Sequence, residues 1–325
     1  MNPRRFLLIR PDRLGDLILS LPVAEALRRK FPDSHISYLA AAGPAGIRSL
    51  APYVDSWLTY DSTTSRGIFS LRNLIRGRNF DCAIELKPSL HTAAAALLSG
   101  IRLRIGTARR GYSFLYNERV NVHRKGAGKH QTDLDLELLA PLGINESGNL
   151  PELSITHEAI EKGERLMKNG SERFVVMHPG SGGSAPNWRL ENFKKLATMI
   201  IESTGWGVVI TGNKDNIGIF DERCVDLNGK TELDELAGVI TRADLFISGS
   251  TGPLHLADAL GVKCMAFFVR HAIVGPERWG PRRNMNNILM PDAPCKCTNL
   301  ANCQCLQRIS PEKALERATE LFSVK

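Results

Sequence analysis

The sequence predicts an α/β protein made of two Rossmann-like, doubly wound domains. Short apolar strand candidates alternate with helical patterns along most of the chain, and this implies βαβ units with mainly parallel sheets. The alternation lapses between about residues 122 and 158 and then restarts. A chain of 325 residues is long enough for two cores, because one core rarely grows beyond about 250 to 300 residues. We therefore expect one domain at residues 1–155 and a second at 156–325.

The first domain opens on an apolar run that we interpret as a buried strand. Arg4 and Arg5 precede this run and no small-residue cleavage site follows it, so a signal peptide is not expected. The other predicted elements follow in chain order: strands at 6–10, 36–39, 56–60, 80–86 and 103–105, and helices at 21–31, 92–98 and 132–142.

The second domain repeats the alternation after the loop at residues 143–151. Its last segment starts with Ser310 as a cap and Pro311 as the first helical residue, which predicts a final helix at about 310–323. The other predicted elements are strands at 174–178, 206–211, 243–248 and 263–269, and helices at 190–203 and 253–260.

The composition favours a soluble, cytoplasmic chain that at most sits on a membrane surface. No apolar run approaches the roughly 18 to 20 residues that span a bilayer. The net charge of +8 would attract nucleic acid, anionic lipid or an acidic substrate. Aromatic residues make up only 6% of the chain and no base-stacking motif is present, so we do not expect a nucleic-acid partner.

Four of the seven cysteines lie close together near the end of the chain, at Cys295, Cys297, Cys303 and Cys305. Four thiolates could hold zinc, but Cys-x-Cys is tighter than the usual spacing of zinc ligands. In a chain without a secretory signal, we favour reduced structural thiols or a redox-labile tie of the loop, and we expect no metal.

Three loops after predicted strands could carry chemistry, and the first spans residues 10–16. Asp16 stands at a helix start near the carboxyl edge of the sheet, where a carboxylate could take a proton from an incoming hydroxyl. From spacing alone, the favoured role of Asp16 is to cap the helix. Asp12 is an equally good rival for the role of base.

The second loop spans residues 178–188 and is rich in glycine and serine, including Ser181 and Gly182. Exposed backbone N–H groups before a helix suit a phosphate group. The loop matches neither a dinucleotide fingerprint nor a Walker loop, and a plain surface turn explains it equally well.

The third loop leads into a well-marked helix. Its candidate ligand contacts are Ser250, Thr251, Gly252 and His255. Hydroxyl, amide and imidazole groups there could converge on one anion at the amino end of the helix. The alternative for His255 is a polar residue packed in a helix face.

These segments, in this order, resemble glycosyltransferase family 9, the ADP-heptose:lipopolysaccharide heptosyltransferases. The resemblance covers essentially the whole chain and rests on Leu14-Gly15-Asp16, the segment from His178-Pro179-Gly180-Ser181 to Trp188, and the segment from Ser250 to His255. Residues 275–281 and the cysteine-rich tail also fit the family.

The resemblance implies a GT-B fold, with two Rossmann-like domains facing a central cleft and the final helix packing back on the first domain. It implies an inverting transfer without a metal or other cofactor, with Asp16 as the general base. By position, Ser181, Gly182, Thr251, Gly252 and His255 match contacts to the donor phosphates, and we place Ser250 with them. Two residues depart from the family pattern: Pro186 replaces a frequent Lys, and Ser250 replaces a frequent Asp. Arg189 could compensate for the missing Lys.

The implied partners are ADP-heptose as donor and an acidic, lipid-linked inner-core oligosaccharide as acceptor, with peripheral contact at the cytoplasmic face of the inner membrane. Arginine suits bidentate capture of carboxylates and phosphates. We therefore expect Arg10, Arg13, Arg109 and Arg110 to bind the acceptor, and ordinary solvated arginines are the alternative for each.

Other functions remain open at the level of the sequence. A sugar-nucleotide epimerase shares the architecture, and a sugar-nucleotide-binding protein with lost catalysis is compatible with Pro186. A dehydrogenase is not expected, because neither half has a dinucleotide fingerprint.

Overall fold

The structure, a computed structural model, describes residues 3–42, 45–60, 67–124, 126, 128–167, 171–183, 185–213 and 220–323. Lys125 and Ala127, in the predicted interruption, and Ser184, in the second loop, lie outside the described residues. The chain divides into two compact units, Met1–Leu153 and Ser154–Lys325. Each unit is an α/β fold around one parallel sheet, which confirms the predicted fold class.

The first unit has a six-stranded parallel sheet in the order β3-β2-β1-β4-β5-β6. Its strands are β1 (Arg5–Arg10), β2 (His35–Ala41), β3 (Ser56–Tyr60), β4 (Cys82–Glu85), β5 (Leu103–Thr107) and β6 (Glu118–Val120). Its helices are α1 (Leu14–Lys30), α2 (Ile68–Ile75), α3 (Leu90–Leu98) and α4 (Gln131–Leu136). Residues 6–9 of β1 and 82–84 of β4 are apolar and buried, as expected when helices cover both faces of a parallel sheet.

The second unit repeats the arrangement, with a sheet in the order β12-β11-β10-β7-β8-β9. Its strands are β7 (Phe174–His178), β8 (Gly207–Ile210), β9 (Val225–Asp226), β10 (Leu245–Gly249), β11 (Cys264–Phe267) and β12 (Ile288–Leu289). Its helices are α5 (His157–Leu166), α6 (Leu190–Thr204), α7 (Leu233–Thr241), α8 (Gly252–Ala259), α9 (Pro276–Trp279) and α10 (Pro311–Ser323).

Two predicted helices differ from those observed. Helix α1 begins at Leu14, seven residues before the predicted start at 21, and runs through Pro22. An interior proline costs about 3 kcal/mol, and the burial of residues 17–27 offsets this cost. The helix predicted at 132–142 is α4 followed by a 3₁₀ turn at Glu137–Leu142, which contains Pro141.

Several short elements were absent from the prediction: β6, β9, β12, α2, α5, α7 and α9. The strands among them have only two or three residues, too few for an alternating pattern to be recognised. These three strands lie at the edges of the two sheets. The central strands, which the candidate loops follow, are at the predicted places in the chain.

The core of the second unit lies directly behind the second loop. Trp188 stacks on Phe267, with ring centroids 4.3 Å apart, and meets Phe193 edge-on at 4.9 Å. Its indole Nε1 donates a hydrogen bond of 2.9 Å to the carbonyl of Ile309. The loop therefore ends on a buried aromatic anchor that is also tied to the segment before α10.

The last helix contributes Ala314, Ala318, Leu321 and Phe322 to this same core and packs against α6. The predicted packing of the last helix on the first domain stays a prediction. Within the described part of the chain, no helix is long and apolar enough to cross a membrane.

Candidate active-site loops

Both sheets have a switch point, where neighbouring strands send their following connections to opposite sides. In the first unit it lies between β1 and β4, where Ile9 is paired with Glu85. In the second it lies between β7 and β10, where His178 is paired with Ser248. Ligands of open α/β sheets bind beyond the carboxyl ends of the strands at such points. All three loops singled out in the sequence begin at these strand ends.

Arg10, the last residue of β1, contacts several carboxylates at the switch point of the first unit. Its side chain is only 2% exposed. The guanidinium Nη2 donates a hydrogen bond of 2.9 Å to Oδ1 of Asp16, and Nη1 donates one of 3.0 Å to the carbonyl of Leu86. Burial lowers the pKa of Arg10, but the carboxylates of Asp135, Asp16 and Asp12 raise it by more. The guanidinium therefore stays protonated.

Asp16 does not cap helix α1, and the cap favoured from spacing is wrong. The N-cap is Arg13, which makes no side-chain capping bond. Asp16 instead lies in the first turn with its side chain 26% exposed, and its carboxylate accepts from Arg10. Burial raises the pKa of Asp16 above its ordinary value, and the charge of Arg10 opposes that rise. A partly exposed carboxylate held in a fixed orientation is chemically suited to accept a proton.

Asp12, the other candidate for the general base, forms ion pairs with two cations. Its carboxylate lies 3.1 Å from Nε of Arg10 and also pairs with Lys87, which follows β4. The Asp12 side chain is 13% exposed, half as much as that of Asp16. Two cations therefore hold Asp12, so it is less available to a substrate than Asp16.

Asp135, which no signal in the sequence indicated, forms a buried ion pair with Arg10. Its side chain is fully buried and lies 3.1 Å from Nη1 of Arg10. Arg124 and Gln131 also donate to it, at 3.2 and 2.9 Å. A short helical stretch with two carboxylates gives no local sign that one of them points into the core, because its main partner lies 125 residues away.

Glu85 is a second buried carboxyl group that no signal in the sequence indicated. It ends β4 beside Ile9, is 2% exposed, and accepts a hydrogen bond from the hydroxyl of Thr92 in α3. Burial raises the pKa of Glu85 well above its ordinary value, opposed by the bonds from Thr92 and the backbone of Ser89. Among the described residues, the structure gives it no ion pair.

The other arginines predicted to bind the acceptor are exposed at the same edge of the first sheet. Arg13 precedes α1, while Arg109 and Arg110 follow β5, which pairs with β4. Arg109 donates a hydrogen bond of 2.9 Å to the side chain of Asn121. These arginines are accessible to an anionic ligand, whereas the contacts of Arg10 are with the protein's own carboxylates.

In the second loop, Ser181 is half-buried and Gly182 is exposed. The amide of Gly183, which has a φ of 74°, donates a weak bond of 3.4 Å to the Ser181 hydroxyl. His178 at the loop's start lies 3.0 Å from the hydroxyl of Thr211 through Nδ1. Burial lowers the pKa of His178 to about 4, so its imidazole is neutral at physiological pH.

Pro186 is buried, and its neighbour Asn187 bridges the second and third loops. Asn187 Nδ2 donates to the carbonyl of Pro179 at 2.8 Å. Its Oδ1 would lie only 3.1 Å from a Cβ placed on Gly249, at the end of β10. This buried oxygen has no hydrogen-bond partner in the described part of the chain, so an acceptor group is available between the loops.

In the third loop, the predicted start of the helix is confirmed. Thr251 is the N-cap of α8, and its hydroxyl accepts from the amide of Leu254 at 3.4 Å. Gly252 is the first helical residue, and Ser250 is half-buried before the cap. His255 is 5% exposed in the first turn. The loop thus places a helix amino end directly beside the second loop, because β7 and β10 are adjacent.

Arg189, the candidate to replace the missing lysine, is exposed and turned toward the chain's last segment. Its Nη2 donates a hydrogen bond of 2.8 Å to the side chain of Gln304, and its amide donates to Gln307 at 3.0 Å. The guanidinium is therefore tied to the tail segment in this conformation.

Comparison with known proteins gives concordant matches. The sequence model of glycosyltransferase family 9 (heptosyltransferase) matches residues 68–307. The chain is 21% identical to the lipopolysaccharide core heptosyltransferase OpsX of Haemophilus influenzae, over 88% of this chain and 84% of that protein. A family 9 glycosyl transferase structure from Veillonella parvula superposes with a TM-score of 0.84 at 22% identity, covering 98% and 97% of the two chains. The Escherichia coli ADP-heptose heptosyltransferase II structure gives 0.81 at 20% identity, covering 98% of each.

Proposed function

The chain belongs to glycosyltransferase family 9, the heptosyltransferase family, and we propose that it transfers a heptose from ADP-heptose to an acidic, lipid-linked acceptor of the lipopolysaccharide inner core. As a member of this family it is a glycosyltransferase. The names of the similar proteins support the choice of sugar and pathway, since they are lipopolysaccharide and ADP-heptose enzymes.

One observation carries the proposal: the β7/β10 switch point joins a glycine- and serine-rich loop to the amino end of α8. Two of its features suit a nucleoside diphosphate. Gly182 brings a backbone N–H group to the exposed loop and Gly252 brings one to the first turn of α8, where the helix amino end favours negative charge by about 0.3 to 1 kcal/mol or more. The buried Oδ1 of Asn187 adds an acceptor suited to a hydroxyl of the donor.

In the proposed reaction, the carboxylate of Asp16 accepts the proton of the acceptor hydroxyl. The hydroxyl oxygen attacks the anomeric carbon of the heptose from the face opposite the diphosphate, and ADP departs with inversion. A general base is typically worth about 10² to 10⁴ in rate. The raised pKa of Asp16 brings it closer to working pH and makes it a better proton acceptor than an ordinary aspartate.

The departing diphosphate gains negative charge, which a metal ion would neutralise in many transferases. We propose that the amino end of α8, the hydroxyls of Ser250, Thr251 and Ser181, and His255 supply this stabilisation without a metal. Exposed Arg13, Arg109 and Arg110 are proposed to bind the acidic acceptor, at the cytoplasmic face of the inner membrane.

The test is isothermal titration of the purified protein with ADP, UDP, GDP and CMP, repeated with His255→Ala and Thr251→Ala. We expect selective ADP binding that weakens at least several-fold in both variants. Thr251→Ser keeps the cap of α8 and should retain most of the affinity. His157→Ala, at an exposed position in α5, is the matched histidine control and should bind as wild type does.

Transfer is then assayed with ADP-heptose and a deacylated inner-core oligosaccharide. Product that depends on the acceptor supports the proposal, while conversion of the donor without an acceptor would instead indicate an epimerase. If no nucleotide binds, or if both variants bind normally, the donor site is wrongly assigned. Binding without any transfer would identify a sugar-nucleotide-binding protein.

A further inference from the structure

The cysteine-rich segment forms a compact cluster that the proposed reaction does not use. Cys295 and Cys303 are 6% and 4% exposed and belong to the core of the second unit, while Cys297 and Cys305 are half-buried against that core. The segment is fixed at its start, because the amide of Cys295 donates a hydrogen bond of 3.0 Å to the carbonyl of Arg270, which lies beyond β11.

The four thiols have the dimensions of a coordination shell. All four sulfur atoms lie within 4.8 Å of one another. Cys295 Sγ lies 3.5 Å from Cys303 Sγ, and Cys297 Sγ lies 3.9 Å from Cys305 Sγ. A tetrahedral zinc ion with Zn–S bonds of about 2.3 Å separates its sulfur ligands by about 3.8 Å. A disulfide would bring two of the sulfurs to about 2.05 Å.

We propose that these four cysteines bind one zinc ion as a Cys₄ site. This departs from the expectation drawn from their tight spacing. Within each Cys-x-Cys pair, the first cysteine is buried and the second is half-buried. The two pairs face each other, because Cys295 lies beside Cys303 and Cys297 lies beside Cys305. Binding releases the thiol protons to solvent as four thiolates form around the cation.

The site is structural, because four protein ligands leave no open position on a tetrahedral ion. The metal site would affect the residues that follow it, because Gln307 and Ile309 hydrogen-bond to the second loop. Gln307 Nε2 donates to the carbonyl of Asn187 at 3.0 Å, and the carbonyl of Ile309 accepts from Trp188. The metal would therefore fix the tail segment on which Asn187 and Trp188 rest. This inference does not depend on the identity of the sugar or the nucleotide.

The experiment measures metal in the full chain, purified without nickel resin or chelator. Elemental analysis should find about one zinc per chain, and replacement by Co²⁺ should give the thiolate charge-transfer and visible bands of tetrahedral sulfur coordination. Cys297→Ser and Cys305→Ser, at the less buried ligands, should lose most of the metal. Cys224→Ser is the matched control, a half-buried cysteine outside the cluster, and should keep it.

A second readout does not require stable variants. A strong chelator should lower the melting temperature of the wild type, and added zinc should restore it. Substoichiometric zinc even after refolding with Zn²⁺, or a melting temperature unaffected by the chelator, overturns the proposal. Stoichiometric iron in place of zinc, or zinc that persists in both cluster variants, overturns it as well.

Discussion

Arg10, at the end of β1, donates a hydrogen bond of 2.9 Å from Nη2 to Oδ1 of Asp16, in the first turn of helix α1. The same guanidinium lies 3.1 Å from the fully buried carboxylate of Asp135. The orientation of the proposed base is therefore set by a buried cation that a distant carboxylate holds in place. Charge-assisted bonds of this kind are short and directional, so they restrict the Asp16 carboxylate to one geometry.

Replacing Asp16 by Asn should lower kcat by about 10² to 10⁴, because the amide cannot accept the hydroxyl proton. ADP affinity should be unchanged, since the proposed donor residues lie in the second unit. Steady-state kinetics and titration measure the two effects. Asp12→Asn is the matched control and should cost much less in kcat. A larger loss from Asp12→Asn than from Asp16→Asn would transfer the role of base to Asp12.

Replacing Arg10 by Gln should move the acid limb of the pH–rate profile to higher pH. Burial raises the pKa of Asp16 and Arg10 opposes the rise, so loss of the cation raises that pKa further. Because the base must be ionised, activity is then lost at a higher pH as the solution is acidified.

The same change leaves buried Asp135 with fewer partners, and breaking a buried ion pair typically costs about 3 to 5 kcal/mol. Denaturant unfolding measures this cost. Arg10→Lys keeps the charge and should restore much of the pH profile, although a single ammonium group cannot contact Asp16 and Asp135 through separate nitrogens as the guanidinium does. An unshifted acid limb in Arg10→Gln would show that Arg10 does not tune the base.

Charge reversal at Arg13 or Arg109 should raise KM for the acceptor and leave KM for the donor unchanged. Both side chains are exposed at the carboxyl edge of the first sheet, and exposed ion pairs are worth roughly a two- to fivefold change in affinity. Arg102→Glu is the control, since Arg102 is exposed just before β5, at the opposite edge. The assignment fails if Arg13→Glu and Arg109→Glu behave as Arg102→Glu does, or if high salt does not reduce the difference.

Replacing Glu85 by Gln should stabilise the protein at neutral and alkaline pH. Burial raises the folded-state pKa of Glu85, so the folded state binds more protons than the unfolded state above the ordinary carboxyl pKa. Wild-type stability therefore falls as pH rises between the two pKa values, by about 1.4 kcal/mol per pH unit. At a pH below the ordinary carboxyl pKa, Glu85 is protonated in both the folded and the unfolded state, and the stability advantage of Gln disappears.

Urea denaturation of both proteins across pH measures this difference. Thr92→Val removes the hydroxyl that donates to Glu85 and should widen the pH window, since that bond opposes the rise of the pKa. An advantage of Gln that is constant with pH would mean that Glu85 has the same pKa in the folded and unfolded states.

The sequence predicted the central strands and the three loops because their signals are local. Apolar runs bounded by glycine and proline mark buried strands, and the Ser-Thr-Gly-Pro segment before His255 marks the start of α8, which the structure places within one residue. The start of α1 was misplaced because its interior proline reads as a boundary. Edge strands of two or three residues are too short to show the alternation of apolar and polar residues that marks a strand.

By itself, the sequence determined the fold class, the family resemblance and the candidate residues Asp16, Thr251 and His255, since each depends on residues that are neighbours along the chain. Only the tertiary structure decided that Asp16 is bound by Arg10 rather than capping its helix, and that the four thiols converge. These relations arise from the order of strands in each sheet and from packing between distant segments. A contact such as that of Arg10 with Asp135, 125 residues apart, leaves no periodic trace in the chain.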